Sequence, residues 1–232
     1  MPEFKNSLSE WNDLMVQKYH KDGTRFEKGF YLKRKMEIKI LKKMIKLCKP
    51  NSKKKIADIG CGEGFLLREI IAGEKIVGIE ISTTALKRAK KILKPRNDIY
   101  LIQGDAQKLP IPSDYFDIIL CSEMLEHVPD TRIVLNEFNR ILNKSGILVV
   151  SIPNEKQVQK LLDISRKFGF SRLIEGVSTS ENDQNEWHLQ EASPEWLKDM
   201  SKDLFSIEEL INYPKILNLR VIAVLKKSTF NM

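Results

Sequence analysis

The chain has 232 residues, 42% of them apolar and 30% charged, with 39 lysines and arginines against 31 acids for a net charge of +8. That balance belongs to a globular protein in water, one large domain or two small ones, and no apolar run approaches the roughly 18 residues of a membrane span. With no signal-type stretch from Met1 to Trp11 and only single cysteines (Cys48, Cys61, Cys121), a secreted scaffold, a zinc finger and an integral membrane protein are excluded and a cytosolic protein is expected.

The first fifty residues read as helices. Ser9 reads as the cap of a helix whose apolar positions Trp11, Leu14, Met15 and Tyr19 recur at spacings of three and four until Gly23 breaks the pattern. A second apolar pattern runs from Phe30 through Leu47 to Cys48 and stops before Pro50. It overlaps a basic excess, with eleven bases and one acid (Glu37) from Lys33 to Lys55; a second excess, six bases and no acid, runs from Lys87 to Arg96. Such patches suit nucleic-acid phosphates, anionic lipid head groups or an acidic substrate, although their helical interleaving also fits solvated helix faces.

From Lys55 strand and helix alternate. The pattern predicts a strand at Lys55–Ile59, a tight loop at Gly60–Gly64, and a helix over Phe65–Ala72 closed by Gly73. A strand at Ile76–Glu80 precedes a helix over Thr83–Leu93, ended by Pro95, and a strand at Ile99–Ile102. After a loop through Pro110 and Pro112 come a strand at Phe116–Cys121, a helix over Thr131–Leu142 and a strand at Gly146–Ile152. Crossovers of ten or more residues make this a parallel sheet covered on both faces. Asn154–Gln190, rich in Ser, Glu, Asn and Gly, reads as a lid or disordered cover. A helix at Pro194–Met200 then leads to Leu204–Leu210 and an apolar strand at Arg220–Leu225, whose short connection requires antiparallel pairing. The expected organisation is one domain over 1–232: helices over 1–50, an α/β core over 51–154, an insertion over 155–192 and completion of the sheet over 193–232.

Ligands of a doubly wound sheet bind beyond the carboxyl ends of its strands. The first strand delivers Asp58-Ile59-Gly60-Cys61-Gly62-Glu63-Gly64, where alternate glycines let the backbone turn sharply and approach a ligand. The second ends in Glu80, twenty residues after Gly60, the place for a carboxylate that accepts both ribose hydroxyls. The third runs into Gly104-Asp105-Ala106, where an acid can accept from an adenine amino group. A nicotinamide dinucleotide would want G-x-G-x-x-G, but Phe65 stands where the third glycine belongs and Glu63 would face a pyrophosphate. Asp58 and Glu63 suit a cationic sulfonium and ammonium instead, which points to S-adenosylmethionine.

Ile56–Gly64, Gly104–Pro110 and Phe116–Asp130, the last reading FDIILCSEMLEHVPD, resemble class I S-adenosylmethionine-dependent methyltransferases, in particular the group similar to ubiquinone-pathway O-methyltransferases. The resemblance covers roughly Lys54 to Asn154. It implies a Rossmann-like seven-stranded mixed sheet of order 3-2-1-4-5-7-6, helices on both faces and an amino-terminal helical cover. It also implies cofactor contacts at Gly60, Glu80, Asp105, Ala106 and Ser122, joined by Asp58, Gly62 and Gly64 of the glycine loop, and leaves acceptor choice to the amino-terminal helices and the insertion.

The fourth strand delivers Glu123, Glu126 and His127. If Ser122 starts a helical turn they lie at i, i+3 and i+4 on one face, with Asp130 capping the next helix. Two carboxylates and an imidazole there can be a hydroxyl-activating base set, led by His127 and Glu123, or ligands of a divalent metal. Glu-x-x-Glu-His resembles the magnesium-binding segment of ubiquinone-pathway O-methyltransferases and that of small-RNA 3′-terminal 2′-O-methyltransferases, whose later histidine would correspond to His188. An imidazole site favours manganese, iron or zinc over magnesium; the alternative is a solvated helix start with a capping histidine. No Asn/Asp-Pro-Pro-Tyr follows the strand and no Pro precedes Cys121, so oxygen is the favoured acceptor atom. The leading expectation is a small-molecule acceptor such as a quinone precursor or lipid, with peripheral membrane contact left open. RNA on the basic surface and a non-catalytic adenosyl-binding module are the alternatives.

Overall fold

The computed structural model describes residues 7–20, 31–168 and 187–228. Seven strands form one sheet: β1 Lys55–Ile59, β2 Lys75–Glu80, β3 Ile99–Gln103, β4 Phe116–Ser122, β5 Leu142–Pro153, β6 Phe205–Tyr213 and β7 Arg220–Lys227. Their order is β3-β2-β1-β4-β5-β7-β6, as the resemblance implied. The first five run parallel, and β7 pairs antiparallel with both β5 and β6.

Alternation along the central strands sends apolar side chains both ways, because successive residues of a strand face opposite sides. Ile119 and Cys121 join a core under α5 (Thr131–Ile141) and α7 (Pro194–Ser201), packed by Val134, Leu135, Phe138 and Leu197. Ile118 and Leu120 join the other core, under α2 (Tyr31–Cys48), α3 (Phe65–Glu69) and α4 (Thr83–Ile92), packed by Ile40, Leu41, Met44, Leu67 and Ala89.

Four elements depart from the expected boundaries. Helix α1 (Leu8–Tyr19) starts from Ser7, whose hydroxyl accepts from Glu10 N–H while the Glu10 carboxylate accepts from Ser7 N–H. Ser9 lies inside the helix and donates instead to Ile81 O. Helix α3 ends at Glu69, not at residue 72, because Ile70 turns to extended backbone and buries its side chain in the core. Strand β5 starts at Leu142 opposite Phe116, with a register shift before Ile118 pairs with Ile147. Within the expected insertion, Glu155–Lys167 is helix α6, held by Val158 and Leu162 against Leu219; residues 169–186 of that insertion lie outside the described residues, as does Gly23.

Helix α1 docks on the start of α4, with Asp13 as the side chain that meets the helix end. Asp13 accepts from the Ser82 and Thr83 hydroxyls and from Thr84 N–H, all at the positive end of α4. Burial raises the Asp13 pKa, but these hydrogen bonds outweigh it and hold the carboxyl below its ordinary value. Asp13→Ala is therefore expected to lower the opening free energy of α1 by about 1–3 kcal/mol. Amide exchange over residues 8–19 should accelerate by about tenfold or more while the β4 amides keep their protection; unchanged exchange in α1 would contradict this docking.

Candidate functional site

The carboxyl ends of β1, β2 and β4 and the loop after β3 surround one cavity, and α1 covers it. Gly60 has φ +72°, and a Cβ there would lie 2.4 Å from Met124 Cγ, so the loop can turn here only without a side chain. Gly62, at φ +52°, has nothing within 4 Å of its Cβ position and leaves its backbone open to the cavity. Gly64 does not line the cavity; it starts α3 and packs beneath Leu93.

Among mostly apolar lining residues stand five acids, Asp58, Glu63, Glu80, Asp105 and Glu123. Glu80 accepts from Gly62 N–H and Ser82 N–H, both at 2.9 Å, and so locks the glycine loop while each oxygen keeps a lone pair for a ligand. Burial raises the Glu80 pKa and these hydrogen bonds oppose the rise. Asp58 is buried with Oδ2 unpartnered, and burial, then the Glu80 charge, pushes its pKa up to about 8. Asp105 accepts from Gln107 N–H at 2.9 Å and lines the cavity with Ala106 and Ser122. The Ser122 hydroxyl lies 3.0 Å from that of Ser151. Among the described residues no lysine or arginine lines this cavity. The donor set fits a cationic, phosphate-free nucleoside and disfavours a pyrophosphate.

Nothing in the sequence pattern marks α1 as a wall of this cavity, yet it contributes Leu8, Asn12, Val16 and, at its end, His20. His20 Nδ1 stands 3.4 Å from Glu63 Oε1, which also accepts from Arg88 at 2.9 Å. Burial raises the Glu63 pKa, but His20 and Arg88 outweigh it and hold the carboxyl low.

The acceptor side differs from the expected helical turn. Glu123 has φ +51°, so Ser122 starts no helix and the three residues do not share a helical face. Its Oε2 lies 2.8 Å from Arg220 Nε, and Arg220 Nη2 lies 3.7 Å from Glu37 of α2. Glu123 still lines the cavity, but it stands outside the cluster that comes together. That cluster is Glu126, His127 and His188, each offering a ligand atom within 4.8 Å of the others. Glu126 and His127 ride on a 3₁₀ turn, Leu125–His127. Leu189 and Gln190 N–H groups both donate to Glu126 O and bring His188 alongside.

Second partners orient both rings. His127 Nδ1 lies 3.1 Å from Trp187 O, which can only accept, so in the neutral ring the proton sits on Nδ1 and Nε2, 3.9 Å from Glu126 Oε1, carries the lone pair. His188 Nδ1 lies 2.7 Å from Glu155 Oε1, which leaves Nε2 for a ligand in the same way. The Trp187 ring stacks on Tyr19 at 5.4 Å and meets His127 at 5.0 Å, and its Nε1–H is buried with no acceptor. Sequence reasoning missed Trp187, which acts through its carbonyl and its ring, and Glu155, which acts through its carboxylate. Cys121 is buried strand core, and burial holds its thiol well above the ordinary value.

Strand order and cavity are those expected of an α/β methyltransferase of the adenosyl-sulfonium type. Residues 57–150 match the family described as a methyltransferase domain. A demethylmenaquinone methyltransferase of Staphylococcus haemolyticus is 30% identical over 162 residues, 65% of this chain and 66% of that protein. A ubiquinone biosynthesis O-methyltransferase of Nitrosomonas europaea is 34% identical over 111 residues, 44% of this chain and 45% of that one. The match thus spans just under two thirds of the first relative and under half of the second. Among solved structures, the PH0226 protein of Pyrococcus horikoshii superposes with TM-score 0.65 at 21% identity over 91% of this chain and 99% of that one. A SAM-dependent methyltransferase from Aquifex aeolicus superposes with TM-score 0.60 at 13% identity, over 81% of this chain and 89% of that one. The central part of the chain thus matches the methyltransferase-domain family, on the fold shared with a SAM-dependent methyltransferase.

Asp58 links this site to pH. Its folded pKa of about 8 stands above the ordinary value of 3.8, so its protonated form favours the fold below pH 4 and that contribution fades as pH rises toward 8. The slope reaches at most about 1.4 kcal/mol per pH unit. A cationic ligand reverses the preference, so S-adenosylmethionine should bind more tightly at pH 8.5 than at pH 6.5 and release protons at the lower pH. Calorimetry in buffers of different ionisation heat measures this; equal release by the protein and by Asp58→Asn would remove Asp58 from the linkage.

Proposed function

We propose that the protein transfers the methyl group of S-adenosylmethionine to a hydroxyl oxygen of a small acceptor, beside the Glu126–His127–His188 cluster. The observation that carries this reading is the convergence of those three ligand atoms within 4.8 Å, with His127 on the cavity wall. A sulfonium methyl is already activated, so the chain's tasks are to align the acceptor, exclude water and deal with the hydroxyl proton. Glu80 is placed for the ribose hydroxyls, Asp105 and Ala106 for the adenine edge, and Asp58, Gly60, Gly62 and Ser122 for the methionine end. His127, with its proton fixed on Nδ1 by Trp187 O, offers Nε2 to take the acceptor proton.

The same three side chains fit a divalent ion, which would polarise the acceptor hydroxyl. Two imidazoles and one carboxylate favour manganese, iron or zinc over magnesium. Glu123 supports the site from outside: its pairing with Arg220 ties the end of β4 to β7 and, through Glu37, to α2. The buried Trp187 N–H suits an oxygen on the bound acceptor. The quinone pathways named by two relatives support a quinone precursor as that acceptor, and a cytosolic setting accords with it.

Manganese or zinc should raise the melting temperature, and His188→Ala should abolish the rise while adenosylhomocysteine affinity stays within about twofold. Loss of adenosylhomocysteine binding in that variant would place His188 in the nucleoside site instead. If no ion shifts the transition and chelator leaves methyl transfer intact, His127 acts as a base without metal.

A further inference from the structure

The surplus of positive charge lies on one side of the sheet. Helix α2 and the residue just after it expose Lys35, Lys39, Lys42, Lys46 and Lys49. Steps of four, three, four and three residues keep them on one stripe, about 21 Å long at 1.5 Å per residue. Glu37, the one acid of α2, points inward to Arg220 and is buried. Helix α4 and its end expose Lys87, Lys90, Lys91 and Lys94 with no acid among them. Between the two, α3 exposes Arg68, and Glu69 is already shared between Arg68 and Lys42.

The opposite side is balanced: α5 and α7 carry Arg132, Arg140 and Lys198 against Glu137, Glu195 and Asp199. The α2–α3–α4 field is about two helix spacings or ~20 Å wide; apart from it, α6 exposes Lys156, Lys160, Arg166 and Lys167 beside Asp163.

We propose that this α2–α3–α4 face docks the protein on an anionic phospholipid surface. The charge complementarity is one-sided and extended, as a plane of head-group phosphates requires, and each lysine near such a surface adds to the attraction. The field is nine lysines and one arginine, compact point charges with little of the forked guanidinium geometry that reads nucleic-acid phosphates. Among the described side chains of α2, α3 and α4 no aromatic group is exposed, and the exposed Ile71 just past α3 is aliphatic, so nothing is offered for bases to stack on. Attachment by this face is electrostatic and reversible. Leu41, on the inner side of α2, lines the adenosyl cavity, so the docked surface lies about one helix diameter, ~10 Å, from the site.

The test is co-sedimentation of the full chain with vesicles of phosphatidylcholine alone or with roughly a third phosphatidylglycerol. Binding is expected only to the anionic vesicles, and to fall steeply with added salt. K35E/K39E/K46E should weaken it by about tenfold or more, whereas K198E/K202E/K215E, of equal net charge, should change it by less than about threefold. Melting temperatures of both variants establish that they fold. Absence of binding by the natural chain, or equal loss in the two variants, overturns the proposal. So does tighter binding of a single- or double-stranded RNA oligonucleotide than of vesicles through the same lysines.

Discussion

Asp58 and Glu80 stand at the neighbouring ends of β1 and β2, the first buried and the second half-buried, and the rest of the site is arranged around that crowding of negative charge. Two carboxyl groups out of water raise each other's pKa unless donors or cations compensate. Glu80 is compensated by the N–H groups of Gly62 and Ser82, which also fix the loop that must approach the nucleoside. Asp58 is left with a bare oxygen and keeps its proton into the neutral range. A cationic cofactor removes the conflict, so the apo site stores a preference for the charge its ligand brings.

The amino-terminal helix belongs to the same electrostatic arrangement. Asp13 accepts from the start of α4 directly after Glu80, and His20 with Arg88 compensates Glu63 at the other end of the cavity. Because Tyr19 stacks on Trp187 and Trp187 O holds His127, the helix that covers the adenosyl side also touches the residue that orients the acceptor-side imidazole. Closing α1 and setting His127 therefore share one aromatic contact. In a reaction limited by alignment, that shared contact places the two substrates' sides in a common frame.

The parts of this arrangement that depend on neighbours along the chain are legible in the amino-acid sequence. Strand alternation, the glycine loop, Glu80 and Asp105 follow from local periodicity and backbone freedom, and the antiparallel end from the short connection between β6 and β7. What depends on distant partners is not. Glu123 reads as part of a helical turn begun by Ser122, but it takes a left-handed backbone and pairs with Arg220, nearly a hundred residues on, outside the cluster. Ser9 reads as a cap although Ser7 has Glu10 at the reciprocal position. Helix α6 is hidden because only Val158, Leu161 and Leu162 mark its buried side amid lysines and glutamines. His188 stands out in the sequence by resemblance alone; its approach to Glu126 and His127 comes from two backbone hydrogen bonds that no spacing rule encodes.

The charge of the whole chain and the charge of its cavity have opposite signs, and the two do not cancel. A net of +8 spread over the surface would repel a cationic cofactor in bulk, yet ions screen that repulsion within about 8–10 Å. Inside the cavity the acids lie behind low-dielectric walls where screening is weak, so their attraction governs the last step of binding. Placing the lysines on the outer surface of α2–α3–α4 and the carboxylates at the strand ends keeps the two fields a helix diameter apart. The signs interlock where Arg88 of α4 meets Glu63 and where Arg220 meets Glu37 and Glu123, and the latter contact joins α2 and β7 to the strained end of β4.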